Sequence, residues 1–81
     1  MANVWHISIL KDRTETAPIR DVRYFVAADS IPAAIEVLRT NLDSLNGRVN
    51  ASEASARLLT FFDAEDMKPG EFKEIAVIEC P

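Results

Sequence analysis

The sequence predicts an α+β fold, a small antiparallel sheet covered by one main helix, and three stretches predict it. Residues 4–11 and 21–27 alternate apolar and polar side chains with the period of a strand. Residues 31–45 carry apolar side chains at three- and four-residue spacings, the stripe of an amphipathic helix. Residues 72–80 alternate again and close the chain on a strand.

The run VWHISILK sets Trp5, Ile7 and Ile9 on one face and Val4, His6, Ser8 and Leu10 on the other. DRTETAPIR is polar and holds Pro18, which cannot donate to a strand ladder, so it reads as a connection. DVRYFVA then places Val22, Tyr24 and Val26 opposite Arg23, Phe25 and Ala27, and the two runs are expected to form an antiparallel hairpin. A hairpin alone is marginal in water, so a covering element has to follow. Asp29 or Ser30 can cap it, and Pro32 suits a first helical turn, where an amide would lack a partner anyway. Ile31, Ala34, Ile35, Leu38, Leu42 and Leu45 then share one face. Glu36, Arg39, Thr40 and Asp43 share the other, with Arg39 and Asp43 spaced to pair weakly. Asn46-Gly47 supplies a stop signal.

The stretch after Gly47 supports two readings. Asn50-Ala51-Ser52-Glu53 resembles a capping box, so Ala51, Ala54, Leu58 and Phe61 could form a second helical stripe. RLLTFF is dense in strand-favouring residues, which predicts a short helical turn over 51–56 followed by a strand over 57–62. DAEDMKPG reads as a turn, and in the last strand Ile75 and Val77 are expected on one side, Ala76 and Ile78 on the other. The expected order is strand, strand, helix, strand, strand, in one domain over 1–81. A single helix cannot cover both faces, so some of Trp5, Tyr24, Phe25, Phe61 and Phe62 are expected to stay exposed and to support a homodimer.

Composition narrows the function classes. The chain is 48% hydrophobic and 27% charged with two glycines, the balance of a globular domain. No apolar run approaches the ~20 residues that span a bilayer. One cysteine precludes an internal disulfide, and residues 1–10 lack the basic head of a secretory signal, which together read as cytoplasmic. A net charge of −4 argues against a protein that chiefly neutralises phosphates. The charge is uneven: residues 63–79 hold Asp63, Glu65, Asp66, Glu71, Glu74 and Glu79 against Lys68 and Lys73.

The candidate chemistry is sparse. His6 and Cys80 are the only residues of their kinds and could meet only if the two terminal strands were neighbours. One His and one Cys make no zinc site, two glycines make no phosphate loop, and neither metal nor cofactor is expected. Asp63, Glu65, Asp66, Glu71 and Glu74 form the candidate partner-binding set, although a solvated turn also accounts for the first three. Arg13, Arg20, Arg23 and Tyr24 form an alternative nucleic-acid-binding set on the hairpin, against which the overall acidity counts.

VWHISIL, YFVAADSIPAAIEVL, LLTFFDAED and EFKEIAVIE resemble, in order and spacing, small plasmid and phage proteins of the DpnD/PcfM-like type. RTETAPIR and GRVNASEAS depart from that pattern. Small phage-encoded inhibitors of CRISPR effector complexes are similar in layout. The acidic segment implies a basic target, so the chain reads as a non-enzymatic binding module that occupies a basic nucleic-acid-binding surface, the alternative being a nucleic-acid-binding accessory protein that uses the hairpin arginines. The resemblance implies a mobile-element-encoded inhibitor of a host defence complex.

Overall fold

The computed structural model describes residues 3–42 and 47–80. The elements run β1 (Asn3–Lys11), β2 (Ile19–Ala28), α1 (Ile31–Asn41), β3 (Arg48–Glu53), α2 (Ala56–Phe61) and β4 (Phe72–Cys80). The four strands form one sheet in the order β3-β1-β2-β4, with each neighbouring pair antiparallel.

The expected hairpin is the centre of the sheet. Its register sets Ile7 against Tyr24 and Ile9 against Val22 on one face, and His6 against Phe25 on the other. On the first face Ile7, Ile9, Val22, Tyr24 and Val26 are buried together with Ala34 and Leu38 of α1. Trp5 seals one end of that core, its indole Nε1 donating 2.9 Å to the Ala28 carbonyl. Ile7, Phe25, Val26 and Leu38 are the largest fully buried side chains, each worth about 1.5–3 kcal/mol of transfer free energy.

α1 starts where capping chemistry places it. The Ser30 hydroxyl oxygen accepts from the Ala33 amide at 3.2 Å, and Pro32 lies in the first turn. The buried stripe has the expected phase, and Glu36 faces solvent in an ion pair with Arg39 at 3.3 Å. The helix stops at Asn41, before the expected Asn46-Gly47 signal; the expected Arg39–Asp43 pair and Leu45 fall outside the described residues. Gly47 has another duty. Its φ of +137° suits glycine, and a Cβ there would collide with the carbonyl of Leu10 as the chain enters β3.

The stretch 51–62 is the reverse of the expected arrangement. Residues 51–53 belong to β3, which pairs with Trp5–Leu10 of β1, and 57–61 belong to α2. A free edge of β1 offers residues 48–53 a full ladder, which outweighs the capping-box pattern at Asn50. The working cap is Ser55, whose hydroxyl accepts from the Leu58 amide at 3.2 Å. Leu59 and Phe62, three residues apart, then turn inward against Phe25, a spacing that a helix satisfies and a strand does not.

The second face is thus covered in part. Phe25, Ala54 and Ala64 are buried there with Val4, Leu59, Phe62, Met67 and Ile75 around them, and Phe62 meets Phe25 edge-on at 5.6 Å. Of the five aromatic residues considered for exposure, only Phe61 is open, at 77%. Ile75 reaches this core through a bulge: Arg23 pairs with Ala76 but Tyr24 with Glu74, leaving Ile75 as the extra residue. Ile75 and Val77 therefore point to opposite faces, contrary to simple alternation. Among the described residues no helix is long and apolar enough to cross a membrane.

Leu38→Asp should destabilise the fold by about 3–5 kcal/mol, because it buries a carboxylate without a partner. Glu36→Ala, which loses only an exposed ion pair, should shift stability by less than about 0.5 kcal/mol. Chemical denaturation of the two variants checks the helix phase.

Candidate functional site

The acidic segment is a presented loop running into an edge strand. Ala64, 1% exposed, and Met67, half-buried, anchor the loop against the second core, and the Ala64 amide donates 2.8 Å to the Leu59 carbonyl. Asp63, Glu65 and Asp66 stand exposed around those anchors, with Asp63 in the left-handed region at φ 53°. Glu71 serves the following turn: one carboxylate oxygen accepts from the Lys68 amide at 2.7 Å. That turn is locked to β2, since the Gly70 amide donates to the Ala27 carbonyl and the Ala27 amide to the Glu71 carbonyl.

β4 splits the remaining charges between the two faces of the sheet. Glu74 opposes Tyr24 on the α1 face, and Glu79 opposes Arg20, with which it forms an exposed ion pair at 3.6 Å. Lys73 lies on the α2 face, its Nζ donating 2.9 Å to the Phe62 carbonyl rather than meeting a carboxylate. The structure brings Asp63, Glu65 and Asp66 together in one loop, holds Glu71 in the adjoining turn and sets Glu74 on the strand beyond it.

The alternative arginine set is dispersed. Tyr24 is buried under α1, whereas Arg23 points to the opposite face and pairs with Asp21 at 3.2 Å. Arg20 shares the α1 face with Glu79, and Arg13 stands exposed in the connection after β1. Burial of Tyr24 removes the only aromatic ring from that set. Arg23 instead joins His6, Ser8, Asn50 and Ser52 on the part of the second face beyond α2, where Asp21 Oδ1 and Arg23 Nε are buried without hydrogen-bond partners.

The terminal strands are not neighbours, because β2 lies between β1 and β4. His6 sits level with Phe25, and the backbone of Cys80 pairs with Ile19 at the other end of β2, so the Cys-His pairing condition is unmet. No group of three or more His, Cys, Asp or Glu side chains suited to a metal occurs among the described residues.

Sequence reasoning missed the exposed apolar residues of β4. Val77 and Ile78 are 40% and 45% exposed, and Phe72 is 37% exposed, on a strand paired on one side only among the described residues. Alternation in residues 72–80 identified the strand, but nothing local in it says that it forms an edge. Comparison with protein-family models, curated proteins and solved structures finds no match to this chain, so the DpnD/PcfM-like resemblance rests on the quoted residues alone.

Two groups tie the site's surroundings to pH. Burial, then the Glu74 carboxylate, raises the Tyr24 phenol above its ordinary value, with Arg20 opposing. Its neutral form is favoured in the fold, so this contribution is present below pH ~10 and lost as pH rises through the raised value. Burial, then Arg23, lowers His6, with Asp21 opposing; that contribution is present above pH ~6.5 and lost as pH falls through the lowered value. Because the chain has one tyrosine, its ultraviolet titration should give a single midpoint above 10, which Glu74→Gln moves back toward the ordinary value.

Proposed function

We propose that this chain is a small binding module that docks its acidic C-terminal quarter onto a protein with a basic surface. The observation that carries the reading is the presentation of Asp63, Glu65 and Asp66. Buried Ala64 and half-buried Met67 pin the loop, and the three carboxylates stand exposed with no cationic side chain in an ion pair with any of them among the described residues. Like-signed charge concentrated on one surface speeds encounter with a basic partner and repels anionic ones. Burying an acidic cluster against lysines and arginines also discriminates among partners, since a neutral or acidic surface would leave the carboxylates unpaired.

The finer reading is inhibition by occupancy. Proteins that grip nucleic acid do so with basic grooves, and an acidic module seated there competes for the same lysines and arginines. The resemblance to small mobile-element proteins points the same way, toward a host defence complex as the target.

Reversing Asp63, Glu65 and Asp66 to Lys together should keep the chain folded at a cost of no more than about 1–2 kcal/mol, because exposed charges contribute little stability and only the left-handed backbone at Asp63 penalises the replacement. It should weaken capture of basic proteins from a nuclease-treated lysate about tenfold or more, mainly through the on-rate, and flatten the salt dependence. Arg13→Glu, Arg20→Glu and Arg23→Glu together should leave capture intact. The opposite pattern, with the arginine variant losing capture and the acidic one retaining it, would replace this reading with the arginine-bearing connection and β2 as the binding surface.

A further inference from the structure

We propose that the outer edge of β4 captures an extended basic segment of the partner as an added strand. The inference rests on the acidic-module reading above and specifies how the partner is held. An edge strand presents a row of backbone donors and acceptors ready to continue a ladder, and main-chain bonding of this kind supplies affinity while side chains on alternate faces supply selectivity. Among the described residues β4 pairs only with β2, and with nine residues it is half as long again as the opposite edge strand β3 with six.

The side chains along this edge define the occupant. Val77 projects on the α1 face between Glu74 and Glu79, and Ile78 projects on the other face beside Ala76. Val77 and Ile78 remain 40% and 45% exposed. A strand laid alongside would bury both and bring its own side chains within cross-strand distance of theirs. Its best complement has a basic residue facing Glu74, another sharing the Glu79 carboxylate with Arg20, whose exposed ion pair to Glu79 spans 3.6 Å, an apolar residue facing Val77 between them, and a second apolar residue facing Ile78. Lys73 does not interfere with this, because it is turned to the α2 face and bonded to the Phe62 carbonyl. A second copy is a poorer occupant. Pairing two β4 edges around their apolar residues would gather Glu74 and Glu79 of both copies on one face, and like charges opposed across strands destabilise the pair.

The bulge at Ile75 bears on where capture happens. It interrupts the regular course of β4 between Glu74 and Ala76, which leaves the stretch from Ala76 onward as the regular ladder template and Glu74 as a charge contact beyond it.

The test uses a labelled synthetic peptide of about eight residues, with lysines spaced to meet Glu74 and Glu79 and valines between them. Two companions accompany it: the same peptide with alternate backbone amides methylated, and one with glutamate in place of lysine. Fluorescence anisotropy should show the parent peptide binding about tenfold or more tightly than either companion, since one loses ladder bonds and the other charge complementarity. Amide hydrogen exchange in β4 should slow on addition of the parent peptide. Val77→Lys with Ile78→Lys, at exposed positions, should keep the thermal melt and lose the binding. If the methylated and parent peptides bind alike and both are salt-sensitive, strand addition is overturned and acidic docking stands. If lysine and glutamate peptides bind alike, the acidic reading falls as well. Protection of β4 that rises with protein concentration in the absence of peptide would make a second copy the occupant and overturn the proposal. No binding by any peptide also overturns strand addition, and the triple reversal at Asp63, Glu65 and Asp66 then judges the acidic reading separately.

Discussion

Everything else in this fold depends on the register between β1 and β2. Setting Ile7 against Tyr24 makes one face of the pair continuously apolar from Trp5 to Ile9 and from Val22 to Ala28. The same register puts Phe25 on the reverse face beside His6, where a smaller core can grow. Slipping one strand by one residue would set Ile7 and Ile9 on the face of Phe25 and Arg23 and bring Ser8 opposite Tyr24, so neither face would stay apolar. Two cores with different covers are thus built from one pair of strands.

Each later element repairs a deficiency that this pair leaves. α1 covers the larger face with Ala34 and Leu38, and the small alanine lets the helix lie close to the sheet. α2 is too short to hold itself and depends on Leu59 and Phe62 reaching Phe25. β3 and β4 complete the ladders on either side, and in doing so they become the edges. The division of labour follows: the centre of the sheet holds the fold, while the margins carry the exposed charge and the exposed apolar side chains.

The parts legible from sequence were those governed by local pattern. Alternation gave the faces of β1 and β2, and Ser30 with Pro32 gave the start of α1, because propensity and tertiary packing agree at those positions. Residues 51–62 run against their local signals because tertiary context decides there. Asn50 to Glu53 has the spelling of a helix cap but occupies the open side of β1, and Arg57 to Phe62 has the composition of a strand but needs helical spacing to send Leu59 and Phe62 the same way. The bulge at Ile75 left no local mark, since it answers to the pairing with Arg23 and Tyr24. For the site, the acidic loop could be read from composition. The separation of Tyr24 from Arg23 follows from strand alternation itself, although its functional consequence appears only when α1 is seen to bury one face.

The functional account extends the same logic, in that a binding surface can occupy the margins without weakening the centre. Asp63, Glu65 and Asp66 ride on a loop held by Ala64, and Val77 and Ile78 lie on a strand whose inner side is already bonded. Native-state amide hydrogen exchange, read residue by residue, tests this division most directly. The account predicts that amides of the β1–β2 pair around Ile7 and Phe25 exchange only through global unfolding, whereas those of β3 and the outer side of β4 exchange through smaller local openings. Protection as high along β3 and β4 as at the β1–β2 centre would contradict it.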